Sequence, residues 1–160
     1  MSTNWVADIA EMHIKYGVRE AVGQFDKEKL RAFLDFRIKF LQEELDELKT
    51  AKNADDVVDA LIDLCVVAIG TLDVMQLNTY EAWNVVHKAN MNKEVGIKES
   101  RPNPLGLPDL IKPDGWEAPC HFDNVGVLAS LFEASPEVEE EPIVEEAKTT
   151  LKKTRSKKVV

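Results

Sequence analysis

Carboxylates at helical spacing are the residues of this 160-residue sequence best placed to do chemistry. Asp56, Asp59 and Asp63 fall three and four apart in the run DVVDALIDLCVVAIGTL, so they share one face of a helix. Nearly every other residue of that run is apolar, which predicts a helix covered on all sides. Carboxylates on a buried stripe repel one another and lose hydration, a cost that favours protonation or recruits a cation. No basic residue lies within the run to neutralise them. Asp56 alone also suits a first-turn acid facing the helix macrodipole, whereas Asp59 and Asp63 sit too far inside the helix for that role. Gly70, near the same line, would let a neighbouring element approach closely.

A second cluster, EELDE, precedes the first and puts Glu43, Glu44 and Glu47 on one arc. Such a run is usually a solvated face, but Phe36 and Phe40 lead along the helix straight into it. The short link Ala51-Lys52-Asn53-Ala54 makes the two acidic helices antiparallel neighbours, so the clusters can face each other. Five or six carboxylates around one cavity form an oxygen-only site suited to Mg²⁺ or Mn²⁺, whereas zinc would look for histidine or cysteine. A ferritin-like di-iron bundle is excluded, because it requires Glu-x-x-His pairs and none occurs.

The elements that must position these acids are read from periodicity. Asn4 to Tyr16 is a short amphipathic helix ended by Gly17; its His13 is read as structural, and Val18 to Asp26 as a connecting segment. Lys27 to Thr50 carries Leu30, Phe33, Leu34, Leu41, Leu45 and Leu48 at the spacing of a buried stripe. After the Asp56–Leu72 helix, a fourth runs from Thr79 to Asn92 with Ala82, Val85, Val86 and Ala89 on its apolar side. Beyond Glu94, repeated proline and glycine forbid long helices, yet Leu105, Leu107, Leu110, Ile111, Trp116 and Phe122 mark a packed loop. After Asp123 the apolar patch GVLASLF gives way to an acidic block and then to KKTRSKK. The expected organisation is therefore an all-α domain over 1–122 and a flexible charged tail over 123–160, with a transient helix near 142–152.

A net charge of −9 and a pI near 4.9 argue against broad, sequence-independent nucleic-acid binding, which needs a basic surface. The opening MSTNWVADIA shows no secretory pattern, and the apolar helix is too short and too acidic to span a bilayer. Cys65 and Cys120 form no disulfide framework, in keeping with a reducing cytoplasm.

The paired acidic helices followed by VHKANMNK resemble the all-α NTP pyrophosphohydrolase superfamily, which includes MazG-like proteins, phosphoribosyl-ATP pyrophosphohydrolase and dimeric dUTPases. Glu43-Glu44-Leu45-Asp46-Glu47 matches its E-E-x-x-E motif. Asp56-Val57-Val58-Asp59 matches its E-x-x-D motif with Asp replacing Glu, and Asp59 to Asp63 offers a second alignment. His87, Asn90 and Lys93 resemble the segment that completes the site in MazG-like members, and Lys112-Pro113-Asp114-Gly115-Trp116 is similar to a later K-P-x-G-W segment.

The resemblance covers roughly residues 4–122. It implies a four-helix MazG-like bundle completed by a homodimer or homotetramer. It also implies hydrolysis of a (deoxy)nucleoside triphosphate to the monophosphate and pyrophosphate. Mg²⁺, or Mn²⁺, would be held by Glu43, Glu44, Glu47, Asp56, Asp59 and Asp63, with Glu43 or Glu44 as general base. Lys93, with Lys98, Arg101 or Lys112, would offset phosphate charge, and Trp83 or Trp116 would be available to stack on the base. The rival from another class is a non-catalytic helical nucleotide-sensing or interaction module whose acids line a solvated face.

Overall fold

The computed structural model describes residues 2–132. The charged stretch beyond, including the helix expected near 142–152, lies outside the described residues. The architecture is all-α, with one small hairpin. Four long helices stand where periodicity puts them: α1 (Trp5–Tyr16), α3 (Lys27–Thr50), α4 (Ala54–Val74) and α5 (Thr79–Met91). Each begins on an Asx side chain that accepts a backbone N–H of the first turn: Asn4 from Ala7, Asp26 from Lys29, Asn53 from Asp56 and Asn78 from Glu81. Gly17 in the left-handed conformation (φ 68°) ends α1.

Two segments differ from expectation. Residues 18–23 are a short helix, α2 (Val18–Gly23), whose Val22 is buried in the core. Within the expected loop, β1 (Glu94–Gly96) pairs antiparallel with β2 (Asp109–Ile111), in the register Glu94–Ile111, Val95–Leu110 and Gly96–Asp109.

The α3–α4 hairpin is the most extensive helix pairing, and α1 packs on α4 beside it. Arg37 ties the two antiparallel helices together: its Nε donates to Thr71 Oγ1 at 2.9 Å and its Nη2 donates to the Val67 carbonyl at 2.8 Å. A Cβ on Gly70 would stand 3.1 Å from Arg37 Nη2 and 3.2 Å from His13 Cε1, so the glycine does admit close neighbours. His13 is structural as read: buried, with Nδ1 2.7 Å from Asp73 Oδ2, while Arg19 reaches the other oxygen at 3.5 Å.

The best-packed core lies at one end of the hairpin, where Val22, Leu30, Val74, Met75 and Leu131 meet. Leu131 belongs to a final helical turn, α6 (Ala129–Phe132), which follows a 3-10 turn over Gly126–Leu128. That segment is clamped to the α4–α5 junction. Asn124 accepts from the Asn78 N–H and donates to the Asn78 carbonyl, and the Val127 N–H donates to the Met75 carbonyl at 2.9 Å. Gly126 has φ 52°, and a Cβ there would sit 2.1 Å from the Met75 oxygen. The packed helical unit thus reaches at least to Phe132.

Candidate active site

The acids occupy the opposite end of the hairpin from the core, on the last turns of α3 and the first turns of α4. Glu44 and Asp63 are half-buried, while Glu43, Glu47, Asp56 and Asp59 are exposed. This corrects the expectation of a buried aspartate stripe on a helix covered all round. On this part of α4, Val58 (60% exposed) and Leu61 (47%) are open to solvent.

The two clusters nevertheless converge. Partial burial, together with the charges of Glu47, Asp63, Glu43 and Asp59, raises the Glu44 pKa above the ordinary carboxylate value. Glu47, Asp56 and Asp59 line a cavity of about 270 Å³ beside the α3–α4 link. Asp56 has a second occupation: its Oδ2 accepts the Lys52 N–H at 3.1 Å, while its own N–H donates to Asn53 Oδ1. It therefore takes part in capping the start of α4, and it is not among the charges that act on Glu44.

The donor set is all oxygen, which fits a hard cation. Among the described residues no three His, Cys, Asp or Glu side chains form a ready metal cage. That is compatible with Mg²⁺, which usually keeps several waters and binds through one or two carboxylates plus substrate phosphates.

The residues expected to meet substrate form a separate group at the end of α5. Lys93 Nζ donates to Asn90 Oδ1 at 2.9 Å. The ammonium groups of Lys93 and Lys112 lie 5.5 and 4.3 Å from the Trp116 ring centroid, and Trp116 Nε1 donates to the Ala89 carbonyl at 2.7 Å. Lys93, Lys98, Ser100 and Lys112 contribute to a cavity of about 600 Å³, with Glu99 also on its wall. Arg101 is engaged by Asp109 at 3.0 Å. His87 lies one turn back, its ring parallel to that of Trp83 within 8°. Among the described residues, no hydrogen bond or ion pair joins Lys93 or Lys112 to the six acids.

Residues 18–90 match the family model for phosphoribosyl-ATP pyrophosphohydrolase. That family is a member of the all-α NTP pyrophosphohydrolase superfamily, to which the matched segment is therefore similar. The matched segment runs from α2 almost to the end of α5, so it holds both acid clusters, His87 and Asn90. Lys93, Lys112 and the hairpin lie past its end. No curated protein and no solved structure matches the chain.

Sequence reasoning did not anticipate Arg37, whose guanidinium is half-buried, has its pKa lowered by desolvation, and bonds only to neutral oxygens. Nor did it separate the two tryptophans. Trp116 is anchored and covered by ammonium groups, whereas Trp83 is 68% exposed.

Proposed function

We propose that the protein is a pyrophosphohydrolase that splits a (deoxy)nucleoside triphosphate into the monophosphate and pyrophosphate with the help of Mg²⁺ or Mn²⁺. The observation that carries this reading is the convergence of Glu43, Glu47, Asp59 and Asp63 on Glu44, inside a segment that matches a pyrophosphohydrolase family. A cluster of like charges repels a polyphosphate unless a cation intervenes, so metal dependence follows from the charge pattern.

Glu47, Asp59 and Asp63, together with Glu43, would hold the cation, while Asp56 mainly caps α4. This supports the alignment in which Asp59 and Asp63 complete the second motif. When bound, the metal neutralises phosphate charge and acidifies a coordinated water. Glu44 is the best candidate for general base. Its raised pKa gives its carboxylate greater proton affinity than an ordinary glutamate, and it is the half-buried member of the pair Glu43 and Glu44. Lys93 and Lys112 would balance the negative charge of the phosphates.

Acids and lysines are not joined within one chain, and the acidic part of α4 leaves an apolar face open. A homodimer, or a tetramer of dimers, would cover that face and bring a second copy's groups to the acids. The matched family favours phosphoribosyl-ATP as a second substrate reading. The deciding experiment incubates the protein and Mg²⁺ with each of the eight common ribo- and deoxynucleoside triphosphates and with phosphoribosyl-ATP. Release of pyrophosphate and monophosphate supports an enzyme, and the preferred substrate separates the two readings. No turnover of any of them leaves the non-catalytic module.

A further inference from the structure

We propose that Arg37 is a positioning residue for the acid cluster: its guanidinium fixes the register of α3 against α4 and so holds Glu44 opposite Asp59 and Asp63. This inference rests on the metal reading above and adds to it the device that keeps the two halves of the site in line.

Arg37 is a cation in a poor setting for one. It is half-buried, and among the described residues no carboxylate pairs with it. Nor is it among the charges that act on Glu44, so it does not serve by neutralising the acids. Taking a charge out of water without a counter-ion is costly. What the guanidinium does make is a fork onto one turn of α4, with Nε bound to Thr71 Oγ1 and Nη2 to the Val67 carbonyl. Thr71 Oγ1 in turn donates to that carbonyl at 2.7 Å, which closes the three groups into a ring. Two bonds from a rigid, planar group fix position along the helix axis as well as distance from it. Gly70 leaves the opening, since a Cβ there would stand 3.1 Å from Nη2.

The fork lies where register matters. On α3, Glu44 follows Arg37 by about two turns and lies on nearly the same line of the helix. The Phe40 ring, one turn before Glu44, lies 5.7 Å from the guanidinium carbon. On α4, Asp63 and Asp59 precede Val67 by about one and two turns. The helices are antiparallel, so both sets of acids lie on the same side of the fork. From Leu30 to Thr50, among the described residues, no other side-chain hydrogen bond or ion pair joins α3 to α4. Apolar contact along the seam is non-directional and resists sliding weakly. Mg²⁺ demands near-octahedral ligands at about 2.0–2.1 Å, so a slide of about 1 Å between the helices would break the site. Removing the fork strands no polar group on α4, because Thr71 and Val67 keep their bond to each other. Positioning and stability are therefore separable.

The test measures Mn²⁺ binding to the full, metal-stripped chain by electron paramagnetic resonance, without nucleotide, with melting followed on the same samples. Arg37→Met is expected to weaken Mn²⁺ roughly tenfold while the melting temperature holds or rises. Arg37→Lys keeps the charge but not the fork, and should lose affinity as well. Thr71→Val should also weaken Mn²⁺, and the double variant should bind no worse than Arg37→Met, because both changes act through one fork. Wild-type affinity in Arg37→Met or in Arg37→Lys would overturn the proposal, as would additive losses in the double variant. A fall in affinity matched by a fall in melting temperature would also overturn it, leaving Arg37 a structural residue. A wild type that binds no Mn²⁺ would overturn the metal reading itself and this inference with it, an outcome distinct from the others.

Discussion

At neutral pH the Glu44 carboxyl faces four other acids, and the sign of its shift makes a definite expectation. Its pKa is higher folded than unfolded, so the folded state holds the proton more tightly than the unfolded chain does. The resulting stabilisation is full below the unfolded value of about 4.3 and is lost as pH rises through the raised folded value. Metal-free Glu44→Gln should therefore melt above the wild type at pH 7, with the gap closing as the pH falls through the raised folded value toward about 4.3. Melting curves in EDTA across that range check it, and a variant that melts lower at pH 7 would contradict it. Glu47→Gln and Asp59→Asn should keep full helicity while lowering turnover on the order of 10²-fold or more, as expected for loss of a group acting on transition-state charge. Circular dichroism beside a pyrophosphate-release assay checks both halves of that statement.

Among the elements, the segment Asn124–Phe132 has the plainest mechanical role. Leu131→Ala removes a side chain that is only 5% exposed in the main core, and should cost about 2–5 kcal/mol in denaturant unfolding. Gly126→Ala should be at least as damaging, because its Cβ would collide with the Met75 carbonyl and its backbone is left-handed. A chain cut after Phe132 should stay folded, whereas one cut after Phe122 loses Leu131 and should not. The four long helices were legible because each carries an Asx start and sustained apolar spacing. Shorter elements were not. The six residues of α2 and the three-residue strands are too brief to show a period, and Val22 joins the core through tertiary contact alone. GVLASLF was read with the charged tail because its acidic neighbours dominate the local composition. The acid motifs were legible as types and spacing. Their exposure was not, since a one-dimensional pattern shows that a face is apolar without showing what covers it.

For the whole molecule, the open apolar side of α4 points to assembly. Val57, Val58, Leu61 and Ile62 are exposed, and beside Ile62 an apolar cavity of about 260 Å³ runs between Trp5, Ile9, Cys65 and Ile69. Val58→Glu combined with Leu61→Glu should give monomers in light scattering at micromolar concentration and abolish turnover, whereas the wild type is expected to run as the proposed dimer or tetramer. Among the described residues no helix is long and apolar enough to cross a membrane. The place of Leu131 in the core also bears on how the protein is made. About a hundred residues separate it from Leu30, its companion in that core, so that contact closes a long loop of chain. A nascent polypeptide still on the ribosome can wind α3 against α4 while its hydrophobic centre stays unsealed. Until the segment ending at Phe132 has been made, the last side chain cannot drop into place, so the core cannot seal before that point of synthesis.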